Sequence, residues 1–126
     1  MNIKVFDSEL KVMEVLWEAE DKLPASQIAK RLIETVGWNP NTTYTIIKKL
    51  VTKGAIERED PKFMCRALIT KDHIQKQEIS ELNEKLFAGT PDVFLSAFLS
   101  NKKFTKEEMS KMKQLIEELD DGSDGA

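Results

Sequence analysis

The chain has 126 residues, 40% of them hydrophobic and 33% charged, with a formal net charge of −3 at pH 7; this length fits one domain, or one domain with an appendage. The acidic balance excludes a uniformly basic nucleic-acid coat, and a single cysteine, Cys65, excludes an intramolecular disulfide or a thiolate metal cluster. No apolar run approaches the ~18–20 residues of a membrane span.

The first residues, Met1-Asn2-Ile3-Lys4-Val5-Phe6-Asp7, lack the apolar core of a signal peptide, so a cytoplasmic, reducing location is the expectation. Asp7-Ser8 reads as a helix cap, with Glu9 adding negative charge to the helix start. Leu10, Met13, Leu16 and Trp17 then trace an apolar stripe. Asp21-Lys22-Leu23 is a turn. Pro24 opens a second helix, Ala25 to Val36, with Ile28, Ala29, Leu32 and Ile33 facing inward and Gly37 as its stop.

The third helix has the sharpest boundaries. Asn39 caps it, Pro40 suits its first position, and Gly54 ends it. Thr43, Ile46, Ile47 and Leu50 share one face. The opposite face carries Asn41, Thr45, Lys48 and Thr52, flanked by Thr42, Tyr44 and Lys49, with no carboxylate. Residues 39–66 hold 6 basic and 3 acidic groups, against 5 and 7 in residues 1–38 and 8 and 12 in residues 67–126. The positive charge is thus gathered where a recognition helix would lie. Tyr44 and Thr45 are the candidates for base edges or the thymine methyl, with Asn41 nearby, and Thr42, Lys48 and Lys49 for phosphates, helped by the helix N-terminus.

Ile56 and Arg58 alternate in character, Asp60-Pro61-Lys62 reads as a turn, and Phe63 to Ile69 returns as a second strand. Two strands after three short helices make a winged helix. Its wing offers Arg58, Lys62 and Arg66 as phosphate contacts. Cys65 reads as a small, partly buried packing residue.

Beyond Thr70, which can cap the next helix, three helices follow: Lys71 to about Ala88, Pro91 to Leu99 after Thr90 as cap, and one opened by the capping box Thr105-Lys106-Glu107-Glu108. About 50 residues make a marginal core alone. The apolar candidates Ile79, Leu82, Leu86, Phe94, Phe98, Leu99, Met112, Leu115, Ile116 and Leu119 point to packing against a second copy of the chain. The alternative is that the arm folds back on its own winged helix. The fold class expected is mainly α with a small β-wing. A winged helix-turn-helix DNA-binding domain spans 1–70, a three-helix dimerisation arm spans 71–119, and a disordered tail spans 120–126.

Nothing in the chain assembles a catalytic constellation. His73 is the only histidine and has no serine, cysteine or Gly-rich phosphate loop to work with. Glu107-Glu108 is helix N-terminal charge. The expectation is a non-enzyme with no metal, cofactor or small-molecule substrate, partnered by double-stranded DNA and by itself. A winged helix used only for protein binding is the rival reading, and it predicts no salt-dependent DNA affinity.

Glu9 to Trp17, Ser26-Gln27-Ile28-Ala29 and Trp38 to Ile56 closely resemble the penicillinase and methicillin-resistance repressor family (the BlaI/MecI/CopY type). Trp38, Pro40, Thr42, Thr45, Leu50, Lys53 and Gly54 match its pattern without a gap. The resemblance covers Phe6 to Leu119. It implies a cytoplasmic dimeric repressor of pseudo-palindromic operators with half-sites related to TACA/TGTA. It also implies release when a membrane sensor protease, activated by a β-lactam, cuts the arm. Departures are Thr43 where an aliphatic residue is usual, Lys49 where arginine is usual, and a wing that keeps only Phe63 of its aromatic residues. Ala97-Phe98 matches the family's Asn-Phe cleavage pair, with phenylalanine retained and asparagine not. The copper-responsive branch has clustered C-terminal cysteines, a role Cys65 alone cannot fill. A repressor of this kind answering a different signal is the second alternative.

Overall fold

The computed structural model describes residues 2–122. Six helices and three short strands follow in order: α1 (Asp7–Glu18), β1 (Leu23–Pro24), α2 (Ala25–Val36), α3 (Pro40–Lys53), β2 (Ile56–Glu59), β3 (Met64–Ala67), α4 (Lys71–Phe87), α5 (Pro91–Ser100) and α6 (Lys106–Gly122). The chain forms two units, Met1–Ile79 and Ser80–Ala126, which part inside α4.

In the first unit, α1, α2 and α3 pack around Met13, Ile28, Leu32, Ile47 and Leu50, all fully buried. The strands form one antiparallel sheet in the order β1-β3-β2. Ile56 and Cys65 close the core from the sheet side, and Ile3 and Val5 of the N-terminal segment join it. Three helices followed by a β-hairpin that folds back on them constitute a winged helix. The bounds of α3 follow the cap chemistry. The Asn39 side chain accepts from the Asn41 N–H at 2.8 Å, and Gly54 takes the left-handed φ of +86° that other residues adopt only with strain.

Several local expectations are corrected. The N-cap of α1 is Phe6, not Asp7 or Ser8. Phe6 has no polar side chain, and Glu9 instead reaches back to accept the Phe6 N–H at 2.8 Å. Leu23, expected in a turn, and Pro24, expected to open α2, instead pair with Cys65 and Met64 as an edge strand, where proline's missing donor is tolerated. Ile33 points out rather than in, with 46% of its surface exposed. The second hairpin strand covers only Met64–Ala67 of the expected Phe63 to Ile69. Thr90 makes no side-chain cap. Helix α6 continues through Asp120 and Asp121 to Gly122, into the stretch expected as a tail; residues 123–126 lie outside the described residues.

Two other caps form as read. Thr70 Oγ1 accepts from the His73 N–H at 3.0 Å. The box at α6 is complete, with Glu108 N–H donating to Thr105 Oγ1 at 3.0 Å and Thr105 N–H to Glu108 Oε1 at 2.9 Å. The latter bond holds the Glu108 carboxyl below its ordinary value. The entry to α4 is fastened to the first unit by Trp17 Nε1, which donates to the Ile69 carbonyl at 2.9 Å, and by Gln77 Nε2, which donates to the Ile3 carbonyl at 2.8 Å.

Cys65 is wholly buried, and desolvation pushes its thiol up to about 11. The unfolded chain ionises this thiol near pH ~8.5, whereas the folded chain holds its proton to pH ~11. Stability contributed by the difference is therefore intact below the first value and is lost as pH rises between the two. Chemical denaturation of Cys65→Ala should show a shallower fall in stability than the parent between pH ~9 and ~11, by about 2–3 kcal/mol over that window. Parallel curves would refute the assignment.

The second unit has a different character. None of the described residues from Ser80 to Asp121 is buried. Phe87 meets Phe94 edge-on at 5.2 Å, and Phe98 meets Phe104 at 5.5 Å. Leu82, Leu86, Leu115, Ile116 and Leu119 remain 43–64% exposed. Of the other arm residues singled out in the sequence, Ile79 and Phe98 are also exposed, and Phe94, Leu99 and Met112 are half-buried. Among the described residues no helix is long and apolar enough to cross a membrane.

Candidate nucleic-acid interface

Helix α3 buries Thr43, Ile46, Ile47 and Leu50 and turns its other face outward. Asn41, Thr42, Thr45, Lys48, Lys49 and Thr52 are exposed, and Tyr44 is half-buried. The Thr45 hydroxyl donates to the Asn41 carbonyl at 2.9 Å, and that of Thr52 to the Lys48 carbonyl at 3.0 Å. With their protons engaged, both threonines present methyl groups and acceptor lone pairs to solvent. Among the described residues no carboxylate pairs with Lys48 or Lys49. An open groove of about 700 Å3 runs beside this face, lined by Phe6 and Ser8 at the start of α1 and by Thr45, Lys48, Lys49 and Thr52 of α3.

The first-turn amides of α3 are already occupied. Asn41 N–H is taken by the Asn39 side chain, and Thr42 and Thr43 N–H by the Asn39 carbonyl at 2.9 and 3.4 Å. A phosphate drawn to this helix end would have to displace the cap, so the lysines, not the amides, are its available donors.

The wing differs from its sequence reading in charge. Arg58, Lys62 and Arg66 face Glu57, Glu59 and Asp60 in number, so the hairpin is neutral and the positive charge of this region belongs to α3. Arg66 lies directly across the ladder from Glu57, whose carboxylate accepts from its Nη2 at 2.6 Å and holds the guanidinium's proton more firmly than usual. Arg58 pairs with Asp60 at 3.0 Å and lies over the Phe63 ring, 3.7 Å from its centroid. Lys62, exposed at the tip, has no ion-pair partner among the described residues. The structure thus gathers Asn41, Thr42, Thr45, Lys48 and Lys49 on one surface. Tyr44 stands at its wing side, and Arg58 and Arg66 are held in internal pairs.

Two links had no signal in the sequence. Lys53, in the last turn of α3, donates to Glu9 Oε1 at 2.6 Å and to the Lys4 carbonyl at 2.8 Å, and sits 4.5 Å over the Phe6 ring. Tyr44 packs on Phe63 of the wing, ring centroids 5.9 Å apart. Both join residues far apart in the chain, beyond the reach of periodicity. Among the described residues no group of three histidine, cysteine, aspartate or glutamate side chains stands together as a metal site.

The family model described as penicillinase repressor matches residues 6–118. The penicillinase repressor of Bacillus licheniformis is 30% identical over 118 residues, 91% of either chain. The methicillin resistance regulatory protein MecI of Staphylococcus aureus (strain N315) is 22% identical over 115 residues, 90% of this chain and 93% of that protein. The solution structure of the DNA binding domain of the repressor BlaI covers 56% of this chain and 90% of its own at 28% identity, with a TM-score of 0.49.

Proposed function

The chain belongs to the penicillinase repressor family, and from that premise we propose that it is a DNA-binding transcriptional repressor. Two copies joined through the arm bind a pseudo-palindromic operator, and α3 of each copy enters the major groove. The observation that carries the reading is the outward face of α3. It presents two lysines that no carboxylate pairs with among the described residues, beside small hydrogen-bonding side chains, on a winged-helix frame. Lys48 and Lys49 hold phosphates, Thr45 and Tyr44 meet base edges or a thymine methyl, and Asn41 and Thr42 flank them. The acidic remainder of the chain repels non-specific DNA, so positive charge counts only where α3 docks.

The test is a fluorescence titration of a duplex with paired TACA/TGTA half-sites and of a scrambled duplex, across a salt series. The expected result is tighter, steeply salt-dependent binding to the paired duplex, saturating at two chains. Lys48→Ala should weaken both duplexes alike and flatten the slope of log K against log salt by about 1 for each chain bound. An unchanged slope would remove Lys48 from the phosphate contacts. Equal weak binding to both duplexes would mean that the operator differs or that the fold serves another partner, and binding without salt dependence would favour the protein-interaction reading.

Release by proteolysis at Ala97-Phe98 extends the proposal. The bond lies in the last turn of α5, where the Ser100 hydroxyl donates to the Ser96 carbonyl at 2.7 Å and the Ala97 carbonyl at 3.4 Å. A protease requires extended backbone, so this turn must unwind before a membrane sensor protease can cut it. Alanine in place of asparagine favours a second reading, in which the same repressor answers a signal other than a β-lactam.

A further inference from the structure

Phe63 is where α2, α3 and the wing meet. Its backbone takes a φ of +49°, a left-handed conformation costly for a bulky side chain and kept only where its surroundings impose it. That conformation serves both ends of the residue. The carbonyl accepts the Ala25 N–H at 2.9 Å, satisfying the first donor of α2. The ring is half-buried, tilted by 56° against Tyr44 of α3 and stacked by the Arg58 guanidinium. Tyr44 makes no side-chain hydrogen bond among the described residues, and its contact with Phe63 is its one ring contact there. A phenol on a helix has two free torsions, and its neighbours decide which rotamer it holds.

We propose that Phe63 is the positioning residue for Tyr44: it fixes the direction in which the phenol leaves α3 and thereby sets the base preference at the position Tyr44 reads. Arg58 acts through the same ring, as the clamp that keeps Phe63 in place, and not as a phosphate contact. The inference rests on the reading of α3 as the element that docks on DNA.

Tyr44 is the only tyrosine, so isotope-labelled tyrosine yields one set of ring resonances. In the free protein, Phe63→Leu should move those resonances. On a set of duplexes varied one base at a time, the parent should discriminate at one position by at least about fivefold. Phe63→Leu should reduce that to less than about twofold with an unchanged salt slope, because no phosphate contact is lost, and Phe63→Tyr should regain it. The Trp17 indole resonance, set by its bond to Ile69, reports whether the fold survives; if Phe63→Leu loses it, Phe63→Met decides. Unmoved tyrosine resonances, or discrimination kept in full, would overturn the inference while leaving DNA binding intact. A parent that binds every duplex equally would overturn the reading of α3 as a sequence-specific element and with it the specificity half of the proposal, and the resonance comparison would still decide the positioning half.

Discussion

Replacing Leu115 and Leu119 together by glutamate is expected to leave a monomer whose affinity for a two-half-site operator is lower by a factor of roughly 10²–10⁴. The argument starts from burial. Across α5, α6 and the second half of α4 none of the described residues is buried, although the segment is rich in leucine, isoleucine and phenylalanine. Leu115 and Leu119 lie four residues apart on one face of α6 and are 56% and 63% exposed. Apolar surface returns about 25 cal/mol per Å2 only when removed from water, and three helices without an interior do not remove it by themselves. On the proposed reading a second copy would, through a self-complementary contact. Once two copies are joined, the second half-site is bound at a high effective concentration, and this is what separation forfeits. Half-site affinity should stay within about threefold of the parent, because the winged helix is untouched. Sedimentation and titration on one- and two-half-site duplexes measure both quantities. A variant that remains dimeric, or a monomer that keeps full operator affinity, would remove the arm from this role.

How far the sequence disclosed this arrangement depended on distance along the chain. Helix α3 could be drawn to the residue because its signals are local: Asn39, Pro40 and Gly54 mark its ends, and Thr43, Ile46, Ile47 and Leu50 mark its buried face. The same local logic found Thr70 and the Thr105 box. It misjudged Ile33, where a hydrophobic stripe ran past the surface that α2 has available for burial. It missed Leu23–Pro24 as a strand, because two residues carry no periodicity and their partner lies some forty positions on. The wing arginines were legible as charges but not as pairs. Glu57 and Arg66 become neighbours only when β2 and β3 are in register, and that register cannot be read from composition. Thr43 is instructive in another way. Its place in the stripe was evident, but its hydroxyl is buried with no hydrogen-bond partner among the described residues, a cost that the family's usual aliphatic residue would avoid.

The second large effect is expected at a residue whose charge suggests DNA but whose contacts do not. Lys53→Met should lower the stability of the winged helix by about 3 kcal/mol, a fall in Tm of more than about 10 °C for a domain of this size. Lys53 neutralises Glu9, whose side chain is 4% exposed, and its own is only 27% exposed. Removing the ammonium leaves a carboxylate in the interior with the Phe6 N–H as its remaining donor among the described residues, and the cost of an unpaired buried charge exceeds the net worth of the pair. Glu9→Gln should cost less, because the amide oxygen still accepts from Phe6 while the lysine, partly exposed already, can turn to water. The double variant Glu9→Gln/Lys53→Met should recover much of the loss, since no charge is then stranded. Thermal melts of the four proteins form a double-mutant cycle that isolates the coupling. A Lys53→Met protein within about 0.5 kcal/mol of the parent would show that water reaches Glu9 and that the pair is dispensable. If the coupling is as large as its burial implies, Lys53 works as the bolt between the end of α3 and the start of α1. Its effect on DNA binding would then follow stability, while Lys48 and Lys49, exposed on the outer face of α3, would govern the salt dependence.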